Sequence, residues 1–503
     1  MKLEKKYTTN QLWSKEITFN TSAFYIISFV IASIGLILHY ISLNQTGYAN
    51  GWDSYFYLLQ IKSLINDGHL ISSRLSLFYP LLVCAKWITG DYINGYKILT
   101  ALLASTVIFL NACIVYQITR NKIAATVTSL LTLWSPHLFY FSSQYANNLA
   151  GYAFFLIFIL FLLDKKYVFA IIFVIVNLFT HKLTGMLSVG TLIIYTIFQL
   201  LVYNKHKKIL IWGLIPIVIV MFIPKIFAFH EVNRQLDIFT LTPQIYVLQF
   251  IDYFKGIITK IWISEIITTA IAFIGFTAIL IIKKSKSIEL WLFPILFSLL
   301  NFPFLKWDTD GFSYRFFLLS MLFSSVFTGL IISYIHEKKN MLIVLIITIL
   351  STVTTAFSCK TYNPKLNDPP YNRYEIITKN LKNSKVFNTA DLFIAHKSLA
   401  EFIKFTTNKD VMPWIPEYHI EDEKLWRIVA DIDPYILNSF LKNDTVFYLG
   451  FNYCLMKDSQ WKSFIADILA NDSDFYDDYT TWLNPNQVRP AFLQKYRRKD
   501  VKK

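Results

Sequence analysis

From residue 22 to residue 358 the chain alternates long apolar runs with short polar segments. Runs long enough to cross a bilayer as helices lie at about 22–43, 96–119, 123–142, 145–163, 167–181, 184–203, 209–229, 258–282, 288–304, 315–335 and 341–358. The run at 167–181 is short, which predicts a tilted or partly re-entrant helix, or one joined tightly to the next. Between the first two runs lies a long segment, 44–95. Within it, "SYFYLLQIKSLI" and "SLFYPLLVCAKWITG" carry apolar residues at helical spacing, as helices lying in the membrane interface do.

The pattern changes at "CKTYNPKLNDPPYNRYE". Beyond it, "KVFNTA" and "TVFYLGFNYCLM" read as strands, whereas "LFIAHKSLAEFIKFTT", "DEKLWRIVADI" and "SQWKSFIADILA" have helical periodicity. The expected fold is an α-helical polytopic membrane protein of about eleven spans over 1–358. A soluble α/β or α+β domain follows over 359–503, ending in the basic tail "QKYRRKDVKK".

Composition supports this reading. Of 503 residues, 54% are hydrophobic and 16% charged, and the mean hydropathy is +0.43, too apolar for a soluble chain of this length. The net charge of +15 does not call for nucleic acid, because topology explains it. With the N-terminus inside, the segments on its side hold sixteen Lys and Arg in 41 residues, against seven in 98 on the opposite side. That bias predicts a plasma (inner) membrane protein with a cytoplasmic N-terminus, retained as an anchor, and an extracytoplasmic C-terminal domain. Cys84, Cys113, Cys359 and Cys454 form no CxxC or metal-binding pattern; Cys359 and Cys454 share the expected outer compartment.

The unusual polar residues gather on the outer side. Asp53 opens the first interfacial helix, either as its N-cap or as a carboxylate held for general-base work. His181 and Lys182 occupy a tight turn between two spans, where a lysine either snorkels or serves a site. Arg315 opens the tenth run; its planar fork suits phosphate oxygens, and a boundary anchor is the alternative. Before it come Lys306, Asp308 and Asp310, and the loop 230–255 adds His230, Glu231 and Arg234. Gln144, Tyr145, Asn147 and Asn148 offer neutral hydrogen-bonding groups for sugar hydroxyls or for capping a helix. Lys225, Lys260 and Glu265 are secondary candidates near span ends, and His396, Trp414 and Glu417 in the last domain are candidates for acceptor binding or for the domain fold. One acid with several cations and amides suits an anionic, phospholipid-like substrate.

In "GWDSYFYLLQIKSLINDG", "SQYANNLAGYAFFLIFILFLL" and "THKLTGMLSVGTLIIY", the chain resembles the GT-C superfamily of integral-membrane glycosyltransferases. The resemblance implies a polyprenyl-phosphate sugar as donor and a lipid, glycan or protein as acceptor. It places Asp53 as the catalytic first-loop acid, with His181, Lys182 and Arg315 at the general positions of phosphate-binding groups; Lys306 and Arg234 are further candidates for binding phosphate. No acidic pair occurs at 142–148 and no WWD-type motif at 359–503, so a metal-independent enzyme moving a single sugar is expected. No cofactor is expected; a divalent metal held by Asp53 with Asp308 and Asp310 stays open as an alternative. A bacterial undecaprenyl lipid fits the Ile-, Lys- and Asn-rich composition. The rivals are a surface-polysaccharide polymerase or ligase using a polyprenyl-pyrophosphate glycan, a lipid-linked-sugar flippase or transporter, and a membrane anchor for the C-terminal domain.

Overall fold

A computed structural model describes residues 21–71, 76–203, 263–301, 312–338, 340–361, 369, 371–383, 392–409, 411–414, 445–451, 475–481 and 491–497. The first helices are α1 (Thr21–Leu43), α2 (Ser54–Asp67), α3 (Phe78–Thr89), α4 (Tyr92–Thr119), α5 (Lys122–Leu133) and α6 (Pro136–Gln144). There follow α7 (Ala146–Leu163), α8 (Tyr167–Thr180), α9 (Lys182–Tyr203), α10 (Ile263–Ile282) and α11 (Ile288–Leu300). After them come α12 (Phe312–Met321), α13 (Ser324–Glu337), α14 (Met341–Thr361) and α15 (Tyr371–Asn383). The remaining elements are β1 (Leu392–His396), α16 (Lys397–Thr407), β2 (Val411–Trp414), β3 (Thr445–Phe451), β4 (Phe475–Thr481) and β5 (Ala491–Arg497).

The contacts divide the chain into two compact units. The first holds Met1–Gln45, Leu75–Ile88 and Gly95–Pro364; the second holds Thr46–Arg74, Thr89–Asn94 and Lys365–Lys503. Six apolar stretches among the described residues of the first unit are long enough to cross a membrane: Ser22–Leu43, Tyr92–Thr119, Ala146–Leu163, Lys182–Leu200, Glu265–Ile282 and Arg315–Glu337. Burial sorts them. The Arg315–Glu337 stretch is 89% buried and α4 largely so, which makes them the centre of the bundle. By contrast, α1 and α10 leave whole apolar faces open (Ile26, Phe29 and Ile37 on α1), as lipid-facing helices do.

Two expected spans are interrupted. Residues 123–142 divide into α5 and α6, because Ser135 caps a new helix by accepting the Leu138 N–H and Pro136 occupies its first position. Residues 315–335 divide at Leu322–Phe323 into α12 and α13. The short run at 167–181 is α8, separated from α9 by His181 alone. The expected span at 209–229 lies outside the described residues.

Helix α7 packs directly on the α8–α9 turn. A Cβ added at Gly151 would lie 2.1 Å from Thr184 Oγ1 and 2.8 Å from His181 Cβ. Gly151→Ala is therefore expected to lower stability by about 1–3 kcal/mol through overpacking. The check is a reduced thermal midpoint in detergent; an unchanged midpoint means the turn yields freely.

In the second unit the described strands form one sheet of order β2-β1-β3-β5-β4. β1 pairs parallel with β2 and β3, β5 pairs antiparallel with β3 and β4, and the β4–β5 register shifts between Tyr476 and Thr480. The expected helix over "LFIAHKSLAEFIKFTT" is corrected in its first half: Leu392–His396 is strand β1, paired on both sides, and only Lys397–Thr407 is helical. Helical periodicity in α16 extends by chance back into a five-residue apolar stretch, which periodicity alone cannot assign. β3 agrees with the strand expected there, while "KVFNTA", "DEKLWRIVADI" and "SQWKSFIADILA" lie outside the described residues.

Helix α2 differs from a lipid-bound helix. Its apolar residues Tyr55, Leu58 and Ile61 are buried within the second unit, packed with α16. Tyr55 lies 4.9 Å from the Phe402 ring and 4.8 Å from that of Tyr371. Helix α3, in contrast, leaves Trp87 and Ile88 exposed, as an interfacial helix does.

Candidate functional site

In the second unit, the acid of the opening loop sits on a tight turn. Gly51 has φ of 101°, a conformation that favours glycine, and the Ser54 N–H returns to the Gly51 carbonyl at 3.3 Å. Asp53, between them, occupies the N-cap position of α2 with φ −101° and ψ 6°, yet its side chain makes no capping hydrogen bond. Of the two roles considered for Asp53, the capping one is limited to its position in the chain, since its side chain makes no cap bond. The Asp53 carbonyl accepts the Tyr57 N–H, so the backbone continues straight into the helix.

That turn is gripped by the C-terminal part of the unit. The Tyr371 hydroxyl donates to the Gly51 carbonyl at 2.6 Å and lies 2.9 Å from Ser54 Oγ, which donates to the Ala49 carbonyl at 2.8 Å. Tyr48 donates to the Glu375 carboxylate. Burial, and then the bond to Glu375, pushes the Tyr48 hydroxyl up to about 12. At the far side of α2, the Lys62 ammonium donates to the Phe405 carbonyl (2.9 Å) and to Asn408 Oδ1 (2.7 Å). Those groups end α16, where a cation complements the helix dipole. Desolvation holds the Lys62 pKa below its ordinary value.

In the first unit, several of the remaining candidates gather where α6 meets α7 and α8 meets α9. The Arg315 guanidinium, on α12, lies 5.6 Å from the ring of Tyr145, the residue joining α6 and α7. Ser76 Oγ donates to the Thr180 carbonyl at 2.7 Å and lies 3.2 Å from Asn147 Oδ1. His181 follows Thr180 directly and, with Lys182, is half-buried. The turn is fixed from below: Asn177 accepts from Thr184 Oγ1 (2.9 Å) and donates to Ser188 Oγ (2.8 Å). Tyr145, Asn147, His181 and Arg315 thus surround one end of the bundle. Gln144 and Asn148 are buried instead, 6% and 4% exposed, and face the interior. Lys306, Asp308, Asp310, Arg234, His230, Glu231, Lys225, Lys260 and Glu417 lie outside the described residues, and so do the side chains of His396, Trp414, Cys359 and Cys454.

Two features escaped the sequence analysis: the burial of Lys97, and the pairing of Glu265, a secondary candidate there, with His137. Lys97, near the start of α4, is 1% exposed, with its ammonium 3.2 Å from Asn44 Oδ1. A buried carboxylate cluster lies deeper, at the break between α5 and α6. Glu265 Oε1 accepts from Ser135 Oγ at 2.6 Å, and Oε2 is 2.5 Å from His137 Nδ1 and accepts the His137 backbone N–H at 3.2 Å. Glu265 and His137 are both almost fully buried. A small cavity beside them is lined by Thr268, Ser324, Ser325, Thr328 and Ser351. The "SPH" triplet inside an apolar run was the available signal. Its partner is 128 residues away, beyond any local pattern.

No protein-family model matches the sequence, and no curated protein is similar to it. Solved structures do share its fold. The structure of ArnT from Cupriavidus metallidurans bound to undecaprenyl phosphate superposes with a TM-score of 0.57 at 11% identity, over 94% of this chain and 98% of that one. The apo state of the same protein gives 0.53 at 10% identity, over 95% and 98%. The chain thus shares the fold of these structures, with six apolar helices among its described residues long enough to cross a membrane.

Proposed function

We propose that this protein is a membrane glycosyltransferase that moves a single sugar from a polyprenyl-phosphate donor to a hydroxyl acceptor on the extracytoplasmic face. The carrying observation is the likeness of fold, along nearly the whole chain, to a protein that binds undecaprenyl phosphate. In this reading about eleven spans run from a cytoplasmic N-terminus to an extracytoplasmic α/β domain.

Asp53 is the general base. It takes the acceptor hydroxyl proton as the oxygen attacks the anomeric carbon. The bond from that carbon to the phosphate oxygen breaks on the opposite face, which inverts the configuration and frees the polyprenyl phosphate. That leaving group needs positive charge beside it, a role assigned to Arg315, Lys182 and His181, with Lys306 and Arg234 as further cations. Tyr145 and Asn147, with Gln144 and Asn148, are assigned to sugar or acceptor hydroxyls. The half-buried Asp53 carboxylate does not cap its own helix, the other role considered for it.

A lipid-linked-sugar transporter is the second reading, favoured by the two interrupted spans and the buried Glu265–His137 pair. One assay separates them. The purified protein in lipid nanodiscs, given undecaprenyl-phosphate-linked hexoses and pentoses with a mixed pool of envelope lipids and glycans, is expected to release undecaprenyl phosphate. Retention of every donor intact, with donor movement across proteoliposome membranes, favours the transporter.

A further inference from the structure

The acid-bearing turn belongs to the same compact unit as the chain beyond residue 365. Resting on the function proposed above, we propose that Tyr371 is a positioning residue for Asp53, and that holding this turn is one task of the C-terminal domain.

Three observations carry this. First, Asp53 lies between Gly51 and Ser54, whose backbone groups bond each other, so the backbone of residues 51–54 sets where its Cα stands. Second, the Tyr371 hydroxyl binds that backbone at 2.6 Å on the Gly51 carbonyl, from 320 positions along the chain, and approaches Ser54 on the other side of the acid. Third, Tyr371 is itself immobile. It is 1% exposed, its ring stacks on Phe402 at 5.7 Å, and Tyr55 and Tyr374 lie 4.8 and 5.6 Å away. A rigid aromatic cluster therefore presents one hydroxyl to the turn, which is how a supporting shell holds a reactive group. The Tyr48–Glu375 bond ties the same two segments again, one helical turn further along α15.

The ring and the hydroxyl are separable. Tyr371→Phe keeps the packing against Phe402 and Tyr55 and removes the hydroxyl that bonds Gly51 and Ser54. Misplacement of a reacting group by about an ångström costs on the order of a hundredfold in rate. Tyr371→Phe is therefore expected to lower kcat about tenfold to a hundredfold while KM stays within about twofold. The assay uses whichever undecaprenyl-phosphate sugar the nanodisc experiment turns over. Amide hydrogen exchange at Tyr57, whose N–H binds the Asp53 carbonyl, is expected to quicken in the same variant.

Combined with Asp53→Asn, Tyr371→Phe is expected to add no further loss, since the hydroxyl acts through the acid. Wild-type kcat in Tyr371→Phe overturns the positioning role. If Asp53→Asn is inactive in that same experiment, the glycosyltransferase reading stands without it. Full activity of Asp53→Asn overturns the base assignment, and the positioning role with it, while leaving sugar transfer itself in place. Should Tyr371→Phe fail to fold, Ser54→Ala removes the hydroxyl that bonds Tyr371 and leaves the ring packing of the aromatic cluster in place. A fall in its kcat supports the proposal, and an unchanged kcat overturns it.

Discussion

Asp53→Asn is expected to abolish sugar transfer and leave the fold unchanged. A general base contributes about 10²- to 10⁴-fold in rate, which corresponds to about 2.7–5.5 kcal/mol of barrier. Asparagine has nearly the same shape and cannot accept the acceptor proton. Stability should change little, because asparagine keeps the size of the side chain and no cap bond of α2 is at stake. The measurement is undecaprenyl phosphate release with a thermal melt on the same sample. Transfer at the wild-type rate would sink the base assignment, and a collapsed melt would show that Asp53 serves the fold.

Glu265→Ala is expected to be among the most destabilising single changes in the first unit. The carboxylate accepts from the Ser135 hydroxyl and the His137 backbone N–H, and its second oxygen lies against the His137 ring. Removing it takes the partner from those buried groups at the start of α6, at a cost of about 1–3 kcal/mol for each left unsatisfied. Glu265→Gln keeps the shape and part of the bonding, so its loss should be smaller. Thermal midpoints of the two variants in one detergent test the ordering. Equal midpoints for both variants and the wild type would mean that the break between α5 and α6 needs no carboxylate.

The bundle was readable in the sequence because hydropathy is a local property. A run of about twenty apolar residues is too costly to leave in water and long enough to span, whatever its neighbours do. Most predicted spans therefore reappear within a few residues among α1, α4, α7, α8, α9, α10 and α14. The break at Ser135 was missed because apolar residues continue on both sides of it. The candidate site was readable only as a list of polar residues near span ends. Of that list the first unit brings Tyr145, Asn147, His181 and Arg315 to one end of the bundle, and turns Gln144 and Asn148 inward.

By itself the sequence determined a chain of many apolar runs, the rough bounds of most of those described, and the charge bias along them. Each rests on interactions between a segment and its solvent. Only the tertiary structure decided what covers the apolar face of α2, which partner Glu265 finds, and what holds the turn around Asp53. Those depend on contacts between residues as far apart as Gly51 and Tyr371. Amphipathic periodicity says that a face must be buried; it does not say whether lipid or protein will bury it.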